Sequence, residues 1–499
     1  MQILRKKINI HLTLYTLHFT PLLEDFIIGR INAELPFAPN AEKEGLMRAL
    51  GAFLVSSDDR KAFILRGYAG TGKTSVVSAL VRALQGLKRP CVLLAPTGRA
   101  AKVLSRYSGF PAYTIHKKIY RQSSGSTPGY LFSDGQERFS LSDNLHRNTL
   151  FIVDEASMLS GARDNAAFGS GCLLDDLVQY VYNGQRCCLL LLGDDAQLPP
   201  VGSINSPALS EDFMKGYHLS VSGYQLSEVA RQALDSGILT EATRLREELA
   251  SPQPSPKREG VKISPNNKDI IKLKGEEIVE TLEQSWRNVG AEETLIITRS
   301  NKMTNLYNQG VRARILWKED ELSNGDRVMV SKNNYFWAQE YKDLEFLANG
   351  DMLEITRLSN HHEMYGFHFA KASLRAVDYD WEIDALVWLD TLTTDSPEAN
   401  YALQKELFAR VAEDFPEIRN KKELIKKIYD SPYYNALQIR FAYAVTCHKA
   451  QGGQWKHVYI DQSLTTERLN ELTESEQREY LRWLYTAVTR ATERIYLLR

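Results

Sequence analysis

The sequence predicts an α/β protein with doubly wound parallel sheets, divided into several domains. Short apolar runs typical of strands buried on both faces recur along the chain. These runs are Ala62 to Leu65, Cys91 to Ala95, Leu150 to Val153, Cys187 to Leu192, Leu295 to Thr298, Phe441 to Val445, Val458 to Ile460 and Ile495 to Leu498. Helix-patterned segments separate many of them, which indicates βαβ units with ligands at the strand C-termini. A length of 499 residues exceeds what one core holds, so several domains are expected.

The composition is that of an ordinary globular protein. Lys and Arg total 61 and Asp and Glu total 62, so any nucleic-acid surface must be a local basic groove. The five cysteines have neither CxxC nor zinc-ligand spacing, which predicts reduced core thiols and favours the cytoplasm. No apolar stretch reaches the roughly 18–20 residues of a membrane span, so no membrane partner is expected. Residues 1–34 are interpreted as an N-terminal extension outside the motor.

The strongest motif is GYAGTGKT, which matches GxxxxGK[ST] between a predicted strand and the helical pattern Ser75 to Leu84. In that context backbone N–H groups wrap phosphates, Lys73 neutralises charge near the γ-phosphate, and the Thr74 hydroxyl binds Mg²⁺. The alternative, a flexible glycine turn, does not explain the strand and helix on either side. The predicted nucleotide-binding residues are Gly67, Gly70, Thr71, Gly72, Lys73, Thr74 and Ser75.

Two further apolar strands end in polar groups. Asp154 and Glu155 follow the first, and we assign Asp154 to Mg²⁺ and Glu155 to the base that activates water. Without a phosphate loop, such a pair is more often a solvated strand end or a helix cap. In LLLLGDDAQLPPV, Asp194 and Gln197 could reach the γ-phosphate or its water, although a tight turn after a core strand explains the same letters.

At this point the chain resembles a superfamily 1 helicase of the RecD-like and Dda-like branch. APTGRAA (95–101) and TIH (114–116) resemble its first two DNA-contacting motifs, DEAS the Mg²⁺ motif, and GDDAQLPPV the coupling motif. LSEVARQ (226–232), AYAVTCHKAQGGQW (442–455) and LYTAVTRA (484–491) resemble the later motifs of that branch. Each motif is weak alone, but seven in this order are specific.

The resemblance implies two RecA-like P-loop NTPase lobes, with ATP between them and single-stranded DNA across both. Lys73, Asp154, Glu155 and Gln197 would then act in hydrolysis with the phosphate-sensing Arg231 and the arginine finger Arg490. The residues expected to contact DNA are mostly hydroxyl or cationic side chains, which grip phosphates without reading bases. They are Pro96, Thr97, Arg99, Thr114, His116, Thr446, His448 and Lys449.

The resemblance also implies a domain plan. The first lobe spans 35–235 with a strand-separating hairpin insertion at 121–148, and the second spans 236–348 and 433–499. An SH3-like β module occupies 349–432, and the Pro/Ser-rich stretch 251–267 is expected to be a flexible loop. The alternative for each insertion is a neutral surface embellishment.

The chain departs from this family at the position that recognises the adenine of the nucleotide. The family usually carries a glutamine that reads adenine before the first lobe, whereas Glu42 or Lys43 stands near that place here, so strict ATP use does not follow. The resemblance predicts 5′→3′ movement and unwinding at duplex junctions; protein partners are not indicated. Two alternatives remain open: an ATP-driven translocase on DNA or RNA without processive unwinding, and a nucleotide-switched binding protein.

Overall fold

Two parallel β-sheets, each flanked by helices, organise the chain. The computed structural model describes residues 21–122, 139–163, 168–229, 236–251, 262–266, 268–341, 344, 346–462 and 471–498. The α/β prediction is confirmed, with one six-stranded and one five-stranded sheet. Every strand pair in both sheets is parallel.

The first sheet has the strand order β3-β2-β6-β7-β1-β8, and β4 pairs with β5 as a separate hairpin. Its strands are β1 Lys61–Gly67, β2 Cys91–Ala95, β3 Ala112–Thr114, β4 Tyr120–Gln122, β5 Phe139–Leu141, β6 Leu150–Val153, β7 Cys188–Gly193 and β8 Ser220–Leu226. The accompanying helices are α1 at 21–33, α2 Ala41–Val55, α3 Lys73–Gly86, α4 Gly98–Ser108, α5 Ile115–Ile119, α6 Leu173–Asn183 and α7 Glu211–Lys215. Strand β7 is buried throughout because helices cover both sheet faces, which explains its unbroken apolar run.

Helix α1 corrects the prediction that residues 1–34 form a separate extension. Ile27 and Ile31 are buried in the same apolar cluster as Leu46 and Leu80. Residues 21–33 are therefore an integral layer of the first lobe; residues 1–20 lie outside the described part of the chain.

The rest of the chain contains the second sheet, ordered β16-β10-β17-β18-β9, and a closed barrel of strands β11 to β15. The strands are β9 Ile270–Lys272, β10 Thr294–Thr298, β11 Arg327–Val330, β12 Met352–Met364, β13 Phe367–Ala376, β14 Glu382–Trp388, β15 Leu437–Phe441, β16 Ala444–Thr446, β17 Trp455–Asp461 and β18 Ala491–Leu498. The helices are α8 Gly237–Ala250, α9 Ile278–Val289, α10 Asn301–Arg314, α11 Pro397–Ala412, α12 Lys421–Tyr429, α13 Cys447–Ala450 and α14 Glu474–Val488.

The barrel is larger than the predicted module. Strands β11 and β15 pair with each other to close it, yet both lie outside the predicted limits 349–432. The apolar run Phe441 to Val445, predicted as one strand of the second lobe, is divided: Phe441 ends β15, and β16 begins at Ala444. Helices α11 and α12 form an arm between β14 and β15, and Leu407 and Ile428 pack this arm on Trp388 of the barrel.

Strands β4 and β5 flank the stretch predicted as a hairpin insertion, and Arg121 pairs with Ser140 there. Residues 123–138 of that stretch lie outside the described ranges, as do 252–261 and 267 of the predicted flexible loop. None of the helices in the described part of the chain has the length and apolar character needed to cross a bilayer.

Candidate nucleotide and nucleic-acid sites

The loop from β1 to α3 has the geometry of a phosphate cradle. Gly70 and Gly72 have φ values of 76° and 86°, a left-handed region that side chains rarely adopt. Lys73 begins α3, and its ammonium donates to the Gly67 carbonyl and, at 3.0 Å, to that of Tyr68. The Thr71 hydroxyl donates to the Tyr68 carbonyl at 2.8 Å, which closes the loop from inside. Thr74 and Ser75 are half-buried in the first turn of α3.

These residues fit a nucleotide phosphate with a divalent cation. A Cβ at Gly67 would lie 2.9 Å from both the Lys73 side chain and the Thr71 hydroxyl, so only glycine leaves room there. The hydroxyl of Thr74 and the carboxylate of Asp154 are oxygen donors of the kind that Mg²⁺ prefers. Burial raises the pKa of Asp154, and the Glu155 N–H and the nearby Lys73 ammonium oppose that rise. Thr74 and Asp154 are therefore the side chains that would hold the metal.

Glu155 follows Asp154 in a strained conformation with φ 51°. Strain of this kind collects at functional sites. Its N–H donates to Asp154 Oδ1 at 2.9 Å, which fixes the Asp154 carboxylate against the backbone of Glu155. Burial raises the pKa of Glu155, and Arg490 and Lys73 oppose the rise. A raised carboxyl pKa suits a group that must accept a proton.

Arg490 brings a guanidinium from the second lobe to this carboxylate. It is only 3% exposed, and its Nη1 lies 3.9 Å from Glu155 Oε1. Its Nε donates to the Thr486 carbonyl and its Nη1 to the Gly453 carbonyl, both at 3.1 Å. The side chain is therefore held in place by its own lobe while its charge faces the other.

Tyr485 is a second contact across the same cleft, and sequence reasoning missed it. Its hydroxyl donates to Asp194 Oδ2 at 2.6 Å and accepts the Ala69 N–H at 3.0 Å. Burial raises the pKa of Tyr485 well above its usual value, so the hydroxyl stays protonated and remains a donor. The tyrosine lies within the quoted motif LYTAVTRA, but nothing in the letters distinguishes it from a core aromatic residue.

Gln197 lies beside this bridge. The residue is 6% exposed, and its Oε1 has no hydrogen-bond partner among the described residues. Its backbone N–H donates to the Asp194 carbonyl at 3.3 Å. The next residue, Leu198, contacts the second lobe twice: its N–H donates to Thr486 Oγ1 at 2.9 Å, and its carbonyl accepts from Gln451 at 2.7 Å.

The start of α2 occupies the place where an adenine-reading glutamine was expected. Glu42 is engaged by the first lobe itself, since its Oε1 accepts the Ser227 N–H at 2.6 Å. Lys43 is 4% exposed and stands 5.4 Å from the centre of the Phe37 ring, beside Gly72. Lys43 is thus the cationic side chain next to the phosphate loop at this position.

The predicted DNA contacts of the first lobe differ in availability. Thr97 and Thr114 cap helices α4 and α5 through their side-chain oxygens, and Pro96 precedes the first cap. Arg99 is engaged elsewhere: it donates to the Gln454 carbonyl at 2.9 Å and stacks 4.2 Å from the Trp455 ring centre. It also pairs with Asp378 at 3.4 Å.

His116, also expected to contact DNA, is half-buried, and burial lowers its pKa to about 4. Its ring lies 5.0 Å from Phe168 and 6.1 Å from Phe346. The same aromatic group contains Phe139 of the hairpin base, whose ring centre is 4.6 Å from that of Tyr335.

In the second lobe, Thr446, His448 and Lys449 lie together at the end of β16 and in α13. Thr446 and His448 are half-buried, and burial lowers the pKa of His448. Lys449 is exposed and donates to Asn349 Oδ1 at 2.6 Å. Arg231 lies outside the described residues. Arg246 does approach the phosphate loop, with its guanidinium 4.4 Å from the centre of the Tyr68 ring.

Comparison with protein families matches both lobes. Residues 48–258 match the model described as an AAA domain, and residues 441–498 match the model of the UvrD-like helicase C-terminal domain. The chain is also similar to the crystal structure of Pif1 helicase from Bacteroides in complex with ADP-AlF3 and ssDNA. Its TM-score is 0.45 and its identity 14%, with 92% of each chain covered.

Three curated relatives are similar over different lengths. The uncharacterized protein R530 of Acanthamoeba polyphaga mimivirus is 24% identical, covering 88% of this chain and 96% of that protein. The ATP-dependent RecD2 DNA helicase of Deinococcus radiodurans is 25% identical over 60% of this chain, and the ATP-dependent DNA helicase dda of Enterobacteria phage T4 is 27% identical over 41%. The chain spans only 37% and 42% of the lengths of these last two relatives.

Proposed function

We propose that this chain, which belongs to the superfamily 1 helicases of the RecD-like and Dda-like branch, is an ATP-dependent DNA helicase that moves 5′→3′ on single-stranded DNA. The observation that carries the proposal is the divided hydrolytic site. Lys73, Asp154 and Glu155 stand on the first lobe and Arg490 on the second, 3.9 Å from Glu155. Hydrolysis in such a site depends on how the lobes are placed, and it can therefore be coupled to their movement.

Each residue of the divided site has a separate role in ATP hydrolysis. Lys73 holds the γ-phosphate charge, Glu155 takes a proton from the attacking water, and Arg490 stabilises charge on the transferred phosphoryl group. Mg²⁺, when held by Thr74 and Asp154, supplies charge neutralisation at the phosphate oxygens. Gln197 orients the attacking water through its buried Oε1, which has no hydrogen-bond partner among the described residues. Arg231 is proposed as a further phosphate sensor, on the resemblance alone.

Single-stranded DNA would cross both lobes on the side where Thr97, Thr114 and Lys449 lie. Contacts of this type hold phosphates, so sequence preference is expected to be weak and salt dependence steep. We propose the hairpin at 121–148 as the wedge at a duplex junction, and the barrel as an SH3-like module. We place the first lobe at 21–235 and the second around the barrel, in line with the strand pairing of each sheet.

The direction of movement rests on the placement of the insertions. A hairpin based on β4 and β5 precedes Asp154, and a barrel precedes the AYAVTCHKAQG motif. This arrangement is the one expected of the RecD-like and Dda-like branch, whereas UvrD-like motors carry large helical insertions in both lobes.

The test compares fluorescent duplexes with either a 5′ or a 3′ single-stranded tail, with ATP, Mg²⁺ and a trap strand. We expect unwinding of the 5′-tailed duplex only, and none with Lys73→Ala, because the backbone cradle remains but the charge is lost. Preference for the 3′ tail would refute the direction. DNA-stimulated hydrolysis without unwinding of either duplex would favour a translocase, and hydrolysis indifferent to DNA would refute a DNA motor.

A further inference from the structure

The loop that joins β13 to β14, residues 377–381, docks on the first lobe. We refer to it as the barrel loop. The Val377 carbonyl accepts from Lys102 Nζ at 2.6 Å, and Asp378 Oδ1 lies 3.4 Å from Arg99 Nη1 and 3.9 Å from Lys102 Nζ. Tyr379 covers Gly98 so closely that a Cβ there would lie 1.9 Å from its hydroxyl. The barrel thus contacts the N-terminal half of α4, which belongs to the APTGRAA motif.

The contact is chiefly electrostatic. The Asp378 side chain is 7% exposed, and a carboxylate so covered requires cationic partners. Arg99 and Lys102 supply them, with side-chain exposures of 17% and 52%. Arg99 is already fixed in position by the Gln454 carbonyl and the Trp455 ring. Its guanidinium is therefore a preformed anion site on which a carboxylate rests.

A carboxylate and a DNA phosphate are equivalent ligands for such a site, because a guanidinium fork binds either through the same donors. We propose that Asp378 is an internal substitute for a DNA phosphate, and that single-stranded DNA must displace the barrel loop to reach Arg99 and Lys102. This inference rests on the proposed function and on the sequence-based expectation that Arg99, two residues after Thr97, contacts DNA. Asp378 would then lower DNA affinity in the free protein and make binding dependent on barrel movement.

A structural role for the same ion pair predicts the opposite result. If Asp378 only holds the barrel in a DNA-competent position, its neutralisation weakens binding or leaves it unchanged. If it competes with phosphate, neutralisation tightens binding. Asp380, an exposed carboxylate two residues away on the same loop, provides the matched control for a change in net charge.

The first experiment measures the affinity of full-length protein for fluorescent oligo(dT) at one fixed salt concentration. Asp378→Asn should bind about tenfold more tightly than wild type, the scale of one charge-assisted contact. Asp380→Asn should bind within about twofold of wild type. Equal or weaker binding by Asp378→Asn, or an equal gain in both variants, would overturn the proposal.

The second experiment uses the wild-type protein, so its result does not depend on the folding of a variant. A carbodiimide joins adjacent carboxylates and amines, so a Lys102–Asp378 cross-linked peptide should be detected by mass spectrometry without DNA and decline as oligo(dT) saturates the protein. A cross-link that is absent without DNA, or that persists at saturation, would overturn the proposal. Saturation is followed independently by anisotropy, so a protein that fails to bind oligo(dT) at all contradicts the proposed function instead.

Discussion

Removal of one hydroxyl group should test whether the second lobe completes the hydrolytic site. Tyr485→Phe keeps the buried ring but deletes the oxygen that joins Asp194 Oδ2 to the Ala69 N–H. Tyr485 is on α14 of the second lobe, whereas both of its partners belong to the first. The substitution therefore destabilises the arrangement in which the two lobes are in contact.

The expected size follows from the two partners left behind. A buried polar group deprived of its hydrogen bond costs about 1–3 kcal/mol, and Asp194 is 1% exposed. Asp194 keeps the Ala196 N–H at 3.0 Å, and Ala69 is only half-buried, so the lower part of the range applies to each partner, about 2 kcal/mol together. At about 1.4 kcal/mol per tenfold, kcat should fall by roughly 30-fold.

The assay is DNA-stimulated ATP hydrolysis by Tyr485→Phe, Asp194→Asn and the double variant. Because one hydrogen bond joins the two side chains, the double variant should lose little more than the worse single variant. Tyr480→Phe, on the same helix with its ring stacked on Trp483, serves as the control. Wild-type kcat in Tyr485→Phe, or strictly additive losses, would show that the bridge does not act in hydrolysis.

Three further outcomes follow from the described contacts. Arg490→Ala should lower kcat by roughly 10³-fold with little loss of nucleotide binding, because the side chain faces Glu155 from the other lobe. Steady-state kinetics and equilibrium titration measure the two quantities, and a near-normal kcat would assign the arginine-finger role to another residue. Burial lowers the pKa of His116 from 6.5 to about 4, so the unfolded chain binds the proton first and stability should decline as pH falls from 6.5 towards 4. His116→Gln should flatten that part of a Tm–pH profile, and an unchanged slope would contradict the burial argument. Phe139→Ala should reduce unwinding more than hydrolysis, because it loosens the hairpin base from Tyr335 while leaving the nucleotide site intact; a parallel loss of both rates would contradict the wedge.

The phosphate loop and the lobe strands could be predicted because their signals are local. Gly70 and Gly72 occupy conformations that only their residue type adopts easily, and β7 is apolar at every position because both of its faces are covered. The barrel limits could not be predicted in the same way. Strand β15, LQIRF, is a short run of alternating apolar and polar residues, and its pairing with β11 and β14 is what shows that it belongs to the barrel.

The candidate functional residues show the same contrast between local and long-range signals. Lys73 and Asp154 were predicted from short local motifs, whereas Tyr485 and Asp378 contact residues more than 250 positions away in the sequence. No periodicity or composition signals such a partner. His116 shows the reverse: the motif gives its place, but its burial, which lowers its pKa, involves contacts with Phe168 and Phe346 from distant segments.

The contacts also connect the nucleotide site to the proposed DNA surface through one short segment. Residues 451–455 supply the Gly453 carbonyl to Arg490, Gln451 to the Leu198 carbonyl, and the Gln454 carbonyl and Trp455 ring to Arg99. If Arg490 rearranges around a bound γ-phosphate, as proposed, we expect the backbone that holds Arg99 to be displaced with it. The segment is held by hydrogen bonds to Leu198 and Arg490, and a double-mutant cycle between Arg490 and Arg99 would measure whether it couples the two sites. Coupling of hydrolysis to DNA binding then needs no contact between ATP and DNA.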